Sequence, residues 1–204
     1  FIENTFNGIP KVTTSQIYDT FVRNKFIPPT AKVNLTIKFN IEENMWPIIY
    51  TVPSKSTIDT KTRIFQYKIL NNILYLNKQL HKMKLSESPL CSFCSSMEET
   101  FIHLFKECTF SARLWRDIQI TLSPNLVLPD LDAKNITLGI IESESSNVLE
   151  NHILLLYKRY IYISRLNKKS INIIGFISFI KNIMKIECKI AMNRNTLVLH
   201  YQKW

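Results

Sequence analysis

Cys91-Ser92-Phe93-Cys94-Ser95-Ser96-Met97-Glu98-Glu99-Thr100-Phe101-Ile102-His103-Leu104-Phe105-Lys106-Glu107-Cys108 is the stretch on which the fold turns. Its ligating side chains fall in the spacing C-x2-C-x8-H-x4-C. Two cysteines two residues apart can take one face of a tetrahedral ion through a tight turn, and a second pair from an adjoining helix closes the site. Four protein ligands leave no coordination position for water, the mark of a structural rather than a catalytic ion. The expectation is one structural Zn²⁺ on Cys91, Cys94, His103 and Cys108. The run from Glu98 to Cys108 reads as a helix that presents His103. On an ideal helix Cys108 lies about 500° further round, about 140° off the His103 face. The helix must therefore loosen or end just before Cys108, and Thr109 is placed to cap the next one. Buried thiols without metal, a disulfide, or a Cys–His nucleophile pair are the other readings of these residues. The last needs an exposed thiolate and an oxyanion site, and no local signature supports either.

On the N-terminal side, Asp59 or Thr60 caps a strong helical pattern in which Phe65, Ile69, Ile73, Leu76 and Leu80 recur at three- and four-residue steps. Six Lys or Arg and no acid lie between Lys61 and Lys84. Earlier still, Ile17, Phe21 and Val22 share a helical face behind Thr14 and Ser15, closed by Pro28-Pro29. Between these, Val33, Leu35, Ile37, Phe39 and Ile41 alternate as a strand does, while Glu42 to Tyr50 reads as a short helix cut by Pro47.

On the C-terminal side, Phe110, Leu114, Trp115 and Ile118 mark a helix. Residues 122–146, with Pro124, Pro129 and several Ser and Asn, read as a linker holding a short buried run, Ile136 to Ile141. Two helices follow, about 148–166 and 173–193, separated by Asn167-Lys168-Lys169-Ser170. From Tyr157 to Trp204 there are ten Lys or Arg and one acid, Glu187. Lys181, Lys185 and Lys189 recur every four residues and form one stripe on a helix. Lys158, Arg159, Lys168 and Lys169 lie in the preceding helix and turn and extend the candidate phosphate-contacting set. Ile177, Ile180, Met184 and Cys188 are assigned to the side of the helix that packs, Cys188 as a core thiol.

The fold class expected is mainly α: a helical domain with an embedded CCHC zinc knuckle and a basic helical C-terminal segment. Its parts are an N-terminal segment of unassigned fold (1–60), a helix plus zinc-binding domain (61–120), a linker (121–146) and the basic helical segment (147–204). Three glycines in 204 residues suit helices better than tight hairpins. The 26 Lys and Arg against 16 Asp and Glu leave a formal +10. A Zn²⁺ on three thiolates lowers that surplus by only one. A surplus of this size favours polyanions, nucleic acid or an anionic membrane surface. No run of eighteen apolar residues spans a bilayer; Ile153 to Ile163 comes nearest and is broken by Lys158 and Arg159. The opening Phe1-Ile2-Glu3 has neither Met nor a signal-peptide pattern, which suggests a piece of something longer. Four cysteines without a secretory signal read as reduced thiols or metal ligands.

Together, Phe65-Gln66-Tyr67-Lys68-Ile69-Leu70, Leu76-Asn77-Lys78, Ser88-Pro89-Leu90-Cys91-Ser92-Phe93-Cys94, and Glu99-Thr100-Phe101-Ile102-His103-Leu104-Phe105 with Cys108 and Trp115 resemble one family. It is the zinc-binding C-terminal region of LINE-type (non-LTR) retrotransposon reverse transcriptases. The ending, Gly175 through Lys189 and on to Tyr201-Gln202-Lys203-Trp204, resembles the extreme C-terminus of the same proteins, so the likeness covers roughly residues 45–204. It implies a non-catalytic fragment of an RNA-directed DNA polymerase that helps hold RNA template or target DNA. Its partners would be nucleic acid and the remainder of the polymerase, with no membrane, in a ribonucleoprotein of cytoplasm and nucleus. Asp130-Leu131-Asp132 lies in the Pro-rich stretch and is no paired-aspartate polymerase motif. The alternative is a protein-interaction module that docks onto the polymerase core, its basic charge merely solvated.

Overall fold

The computed structural model describes residues 13–25, 28–123, 125–141 and 147–204, and no strand occurs among them. Ten α-helices follow in order: α1 (Thr14–Lys25), α2 (Thr30–Phe39), α3 (Trp46–Ser56), α4 (Thr60–Leu70), α5 (Asn77–Lys82), α6 (Thr109–Leu122), α7 (Ala133–Leu138), α8 (Val148–Leu166), α9 (Ile173–Asn193) and α10 (Leu197–Lys203). A 3₁₀ turn, Glu43–Met45, leads into α3, and a π-helical turn, His103–Glu107, leads into α6.

The alternating run from Val33 is helical, not extended, as far as Phe39, where α2 ends, and Ile41 lies just beyond the helix. Only Leu35 and Phe39, one turn apart, pack inward, against a small cluster of Ile41, Trp46, Ile49, Leu70 and Leu138. Val33 and Ile37 face outward. A lone strand here would have no ladder partner for its backbone groups, whereas a helix satisfies them within itself. Trp46 fixes α2 by donating its indole N–H to Thr36 Oγ1 at 3.0 Å. Pro47 does not cut the next helix. It occupies the first turn of α3, where its missing N–H costs nothing.

Asp59 caps α4 as expected, accepting from the amides of Lys61 and Thr62. The helix then stops at Leu70 instead of running on to Leu80. Asn72 adopts a left-handed backbone (φ 53°), its amide donating to Ile69 O and that of Ile73 to Lys68 O. This is the Schellman closure, in which a residue of positive φ satisfies the last carbonyls. The same pair of bonds ends α5 at Lys84, α8 at Lys168 and α9 at Asn195. At helix ends where glycine usually sits, this glycine-poor chain uses Asn three times, counting Asn40 at the end of α2, and Lys twice.

Helix α8 is the axis of the molecule. Every residue from Asn151 to Lys158 is buried, as befits a helix enclosed on all sides. Phe65 of α4, Leu104 and Phe105 of the π turn, Trp115 of α6, Ile136 of α7 and Phe176 of α9 meet it in one core. The stretch read as a linker is thus packed over part of its length. Asp132 caps α7 by accepting from Asn135 N, and Ile136 and Leu138 are fully enclosed. By contrast, the α1 side chains from Thr14 to Phe21 are all exposed, and the side chain of Val22 lies outside the described residues.

Candidate metal centre

The knuckle is a tight turn whose two arms are held together by a single antiparallel bridge, Leu90 to Glu98. Cys91 N donates to Met97 O (2.8 Å), Ser95 N to Cys91 O (2.9 Å) and Glu99 N to Pro89 O (2.8 Å), with Ser95 in the left-handed region. The chain then enters a helix at Phe101, and at His103 its hydrogen bonding widens. Cys108 N donates to His103 O at 2.7 Å, a bond from residue i+5 to residue i. This widened turn is the loosening that the spacing demanded, since it draws Cys108 back over His103; such π turns often sit at functional sites. Cys108 itself, not Thr109, is the N-cap of α6.

These turns bring one ligand atom from each of Cys91, Cys94, His103 and Cys108 within 4.8 Å of one another. Cys91 Sγ lies 3.8 Å from Cys108 Sγ, and Cys94 Sγ lies 3.3 Å from His103 Nε2. Tetrahedral Zn²⁺ with its usual bond lengths requires S···S edges of about 3.8 Å and S···N edges of about 3.5 Å. The residues fit the ion.

The electrostatics fit as well. The Cys108 thiol is lowered to about 7, chiefly by the hydrogen bond from Cys91 and further by the amides of Phe110 and Ser111 at the start of α6. A helix N-terminus favours thiolate in just this way. Cys91 is pushed up by that same thiol–thiol hydrogen bond and then by burial, while the amides of Cys94 and Phe93 pull the other way. With a cation between them, both sulfurs accept amide hydrogen bonds and neither needs its proton.

A second layer holds the knuckle in place. Glu99, fully buried, accepts from Ser92 N (2.9 Å) and Ser92 Oγ (2.8 Å) inside the CxxC turn, and from Asn77 N (2.9 Å). Its fourth partner is the Arg165 guanidinium of α8, Nε to Oε1 at 2.6 Å, whose Nη2 reaches Asn77 Oδ1 at 2.7 Å. Asn77 Nδ2 closes the circuit on Leu90 O at 2.8 Å. Sequence reasoning missed Glu99 and Arg165 as a pair. The only local signal was an acid just ahead of an apolar helix, and nothing local pointed to a partner 66 residues away.

The seven basic residues assigned to phosphate divide. Lys168, Lys169, Lys181, Lys185 and Lys189 are exposed. Lys158 is a correction: it is fully buried, donating to Gln66 Oε1 (2.6 Å) and Ile136 O (2.9 Å), and cannot meet a phosphate. Arg159 is half-buried and committed to Asp59 and Thr62. On α9, Ile177 and Met184 are half-buried as the packing side requires, but Cys188 is also only partly buried, and Glu187 takes the enclosed place beside it. Glu187 accepts from Thr57 Oγ1, Lys203 Nζ and Trp204 Nε1, tying α10 to the end of α3.

Burial lowers the Lys158 ammonium to about 7 from an ordinary 10.5. Between those values the unfolded chain holds a proton that the folded chain has released, so stability rises with pH through that window. Lys158→Met is expected to abolish the rise, a difference of a few kcal/mol at about 1.4 kcal/mol per unit. Urea unfolding of both proteins at pH 7 and near pH 10 checks it; parallel slopes would refute the burial effect.

No helix is long and apolar enough to cross a membrane among the described residues. No curated protein and no solved structure matches the chain. The model of one protein family, described as zinc-binding in reverse transcriptase, matches residues 16–115. That span contains all four converging ligands, and over it the chain is similar to the zinc-binding region that accompanies reverse transcriptases.

Proposed function

We propose that the chain is a non-catalytic module of a LINE-type reverse transcriptase, built on one structural Zn²⁺ and serving to hold RNA template or target DNA. The observation that carries the reading is the convergence of four ligand atoms, enough to fill a tetrahedral ion's coordination, with no fifth group beside them among the described residues. Cys91, Cys94, His103 and Cys108 would hold the ion, which supplies folding energy rather than chemistry. The exposed lysines supply the positive surface, and the rest of the polymerase supplies catalysis. Within such a protein the module travels as part of a ribonucleoprotein, between cytoplasm and nucleus.

Salt titration tests the binding half. Lys181, Lys185 and Lys189 are exposed on α9 one turn apart. Replacing all three by Gln is expected to flatten the log-affinity against log-salt slope by roughly 2 to 3 units, at about 0.7 per contact for single strands and 0.9 for duplex. Sequence preference should barely change, because phosphate contacts position rather than specify. An unchanged slope in a folded variant removes this stripe from the interface. A second reading, docking onto the polymerase core, is favoured by α1, whose Ile17, Tyr18 and Phe21 are each exposed. Docking through apolar surface would show little salt dependence.

A further inference from the structure

A cleft of about 830 Å³ opens between the knuckle and the turn that joins α8 to α9. Phe93 from the CxxC turn and Phe110 from the first turn of α6 line it, together with Arg165, Lys168, Lys169 and Ile171 from the end of α8 and the turn after it. No carboxylate is among its described lining residues. Phe110 is 48% exposed on a helix whose other large apolar residues include the buried Leu114, Trp115 and Ile118. The volume lies in the upper part of the range for pockets that enclose whole ligands, roughly 300–1,000 Å³.

Resting on the nucleic-acid reading above, we propose that this cleft seats a single strand, its bases against Phe93 and Phe110 and its phosphates towards Lys168 and Lys169. Aromatic faces beside a cationic track are how proteins hold single strands without reading sequence. A duplex keeps its bases stacked on one another and offers no such face. Phe93 lies between two of the metal ligands, so the knuckle's own turn sets its place.

The backbone at Lys168 adds an independent argument. Its φ of 53° is the left-handed conformation, with Lys168 N on Arg165 O (3.1 Å) and Lys169 N on Ser164 O (2.8 Å). Helices α4 and α9 fill the equivalent place with Asn72 and Asn195, residues that tolerate it. A lysine there is the costlier choice, and residues held in such conformations cluster at functional sites. Helix α5 makes the same choice at Lys84, beside Leu85 and Ser86, which also line the cleft. A cation at a helix C-terminus is also favourable to the helix itself, so the test must separate the two roles.

The zinc-loaded full chain is titrated by fluorescence anisotropy with oligo-uridylate RNA and oligo-thymidylate DNA of about ten nucleotides, and with a duplex of equal length. Wild type is expected to prefer both single strands to duplex. Phe110→Ala, at an exposed position, should weaken single-strand binding about tenfold, the scale of one lost base stack, with zinc content and helicity unchanged. Lys168→Asn supplies a residue at home in the left-handed region. It should hold or raise the unfolding midpoint while flattening the salt slope by about 0.7. If Lys168 serves only the helix end, the midpoint moves and affinity does not, and the proposal fails. If wild type binds but both variants bind like it, the strand lies elsewhere or the cleft takes a protein, and the nucleic-acid reading survives without it. Equal losses on duplex and single strand would overturn the stacking role. No binding by wild type to any probe would overturn both readings together.

Discussion

Cys94→Ser is expected to abolish stoichiometric zinc binding and, with it, the cooperative unfolding transition of most of the chain. A structural zinc site of this kind contributes on the order of 10 kcal/mol, as much as the whole net stability of an ordinary domain, roughly 5–15 kcal/mol. The damage does not stop at the knuckle, because Cys91 and Cys108 lie in the same core as Phe65, Trp115, Tyr157 and Phe176. The Tyr157 hydroxyl of α8 sits 2.9 Å from both Phe105 O and Ser111 O, one on each side of Cys108. Metal analysis and thermal melts of wild type and variant, with and without chelator, decide the matter. Equal zinc in both proteins, or a chelator-insensitive melt, would sink the assignment. Acidification should mimic the variant, since thiolates and neutral imidazole must take up protons before they release the ion.

The second large effect lies at Glu99. Glu99→Ala leaves the Arg165 guanidinium, almost wholly buried, without its carboxylate. Breaking a buried pair from one side costs about 3–5 kcal/mol, because the remaining charge loses its counter-ion and keeps only the neutral Asn77 Oδ1. The CxxC turn also loses both hydrogen bonds from Ser92. Urea unfolding in excess zinc measures the loss. The double variant Glu99→Gln/Arg165→Met should recover much of it, as contacting residues are not additive. A single-variant cost below about 1 kcal/mol would place the pair among ordinary surface ion pairs and refute its anchoring role.

Helices α8 and α9 were legible in the sequence, at Val148–Leu166 and Ile173–Asn193 against expected spans of about 148–166 and 173–193. Long apolar periodicity and the polar break at Asn167 to Ser170 suffice for that. The convergence of the four candidate ligands was legible for a similar reason, since a four-ligand site imposes a spacing that the chain must print locally. The run from Val33 to Ile41 misled because strand-like alternation reports which side chains are apolar, not whether a partner strand exists. The stop at Leu70 was missed because Asn71-Asn72 carries no glycine, although Asn tolerates positive φ nearly as well. Lys158 was miscast because charge on a helix reads as solvated unless its partners are known. Those partners, Gln66 and Ile136, stand 92 and 22 residues away.

The enclosure of α8 has a consequence for what counts as a portable unit. The family match ends at residue 115, inside α6, yet the wall that closes the core behind the ligands comes from α7, α8 and α9. A segment cut at the boundary of the match would carry every metal ligand and still expose the faces of Phe65, Leu104 and Trp115 to water. The unit that could be grafted, shuffled or inherited intact is therefore the knuckle together with its C-terminal helices.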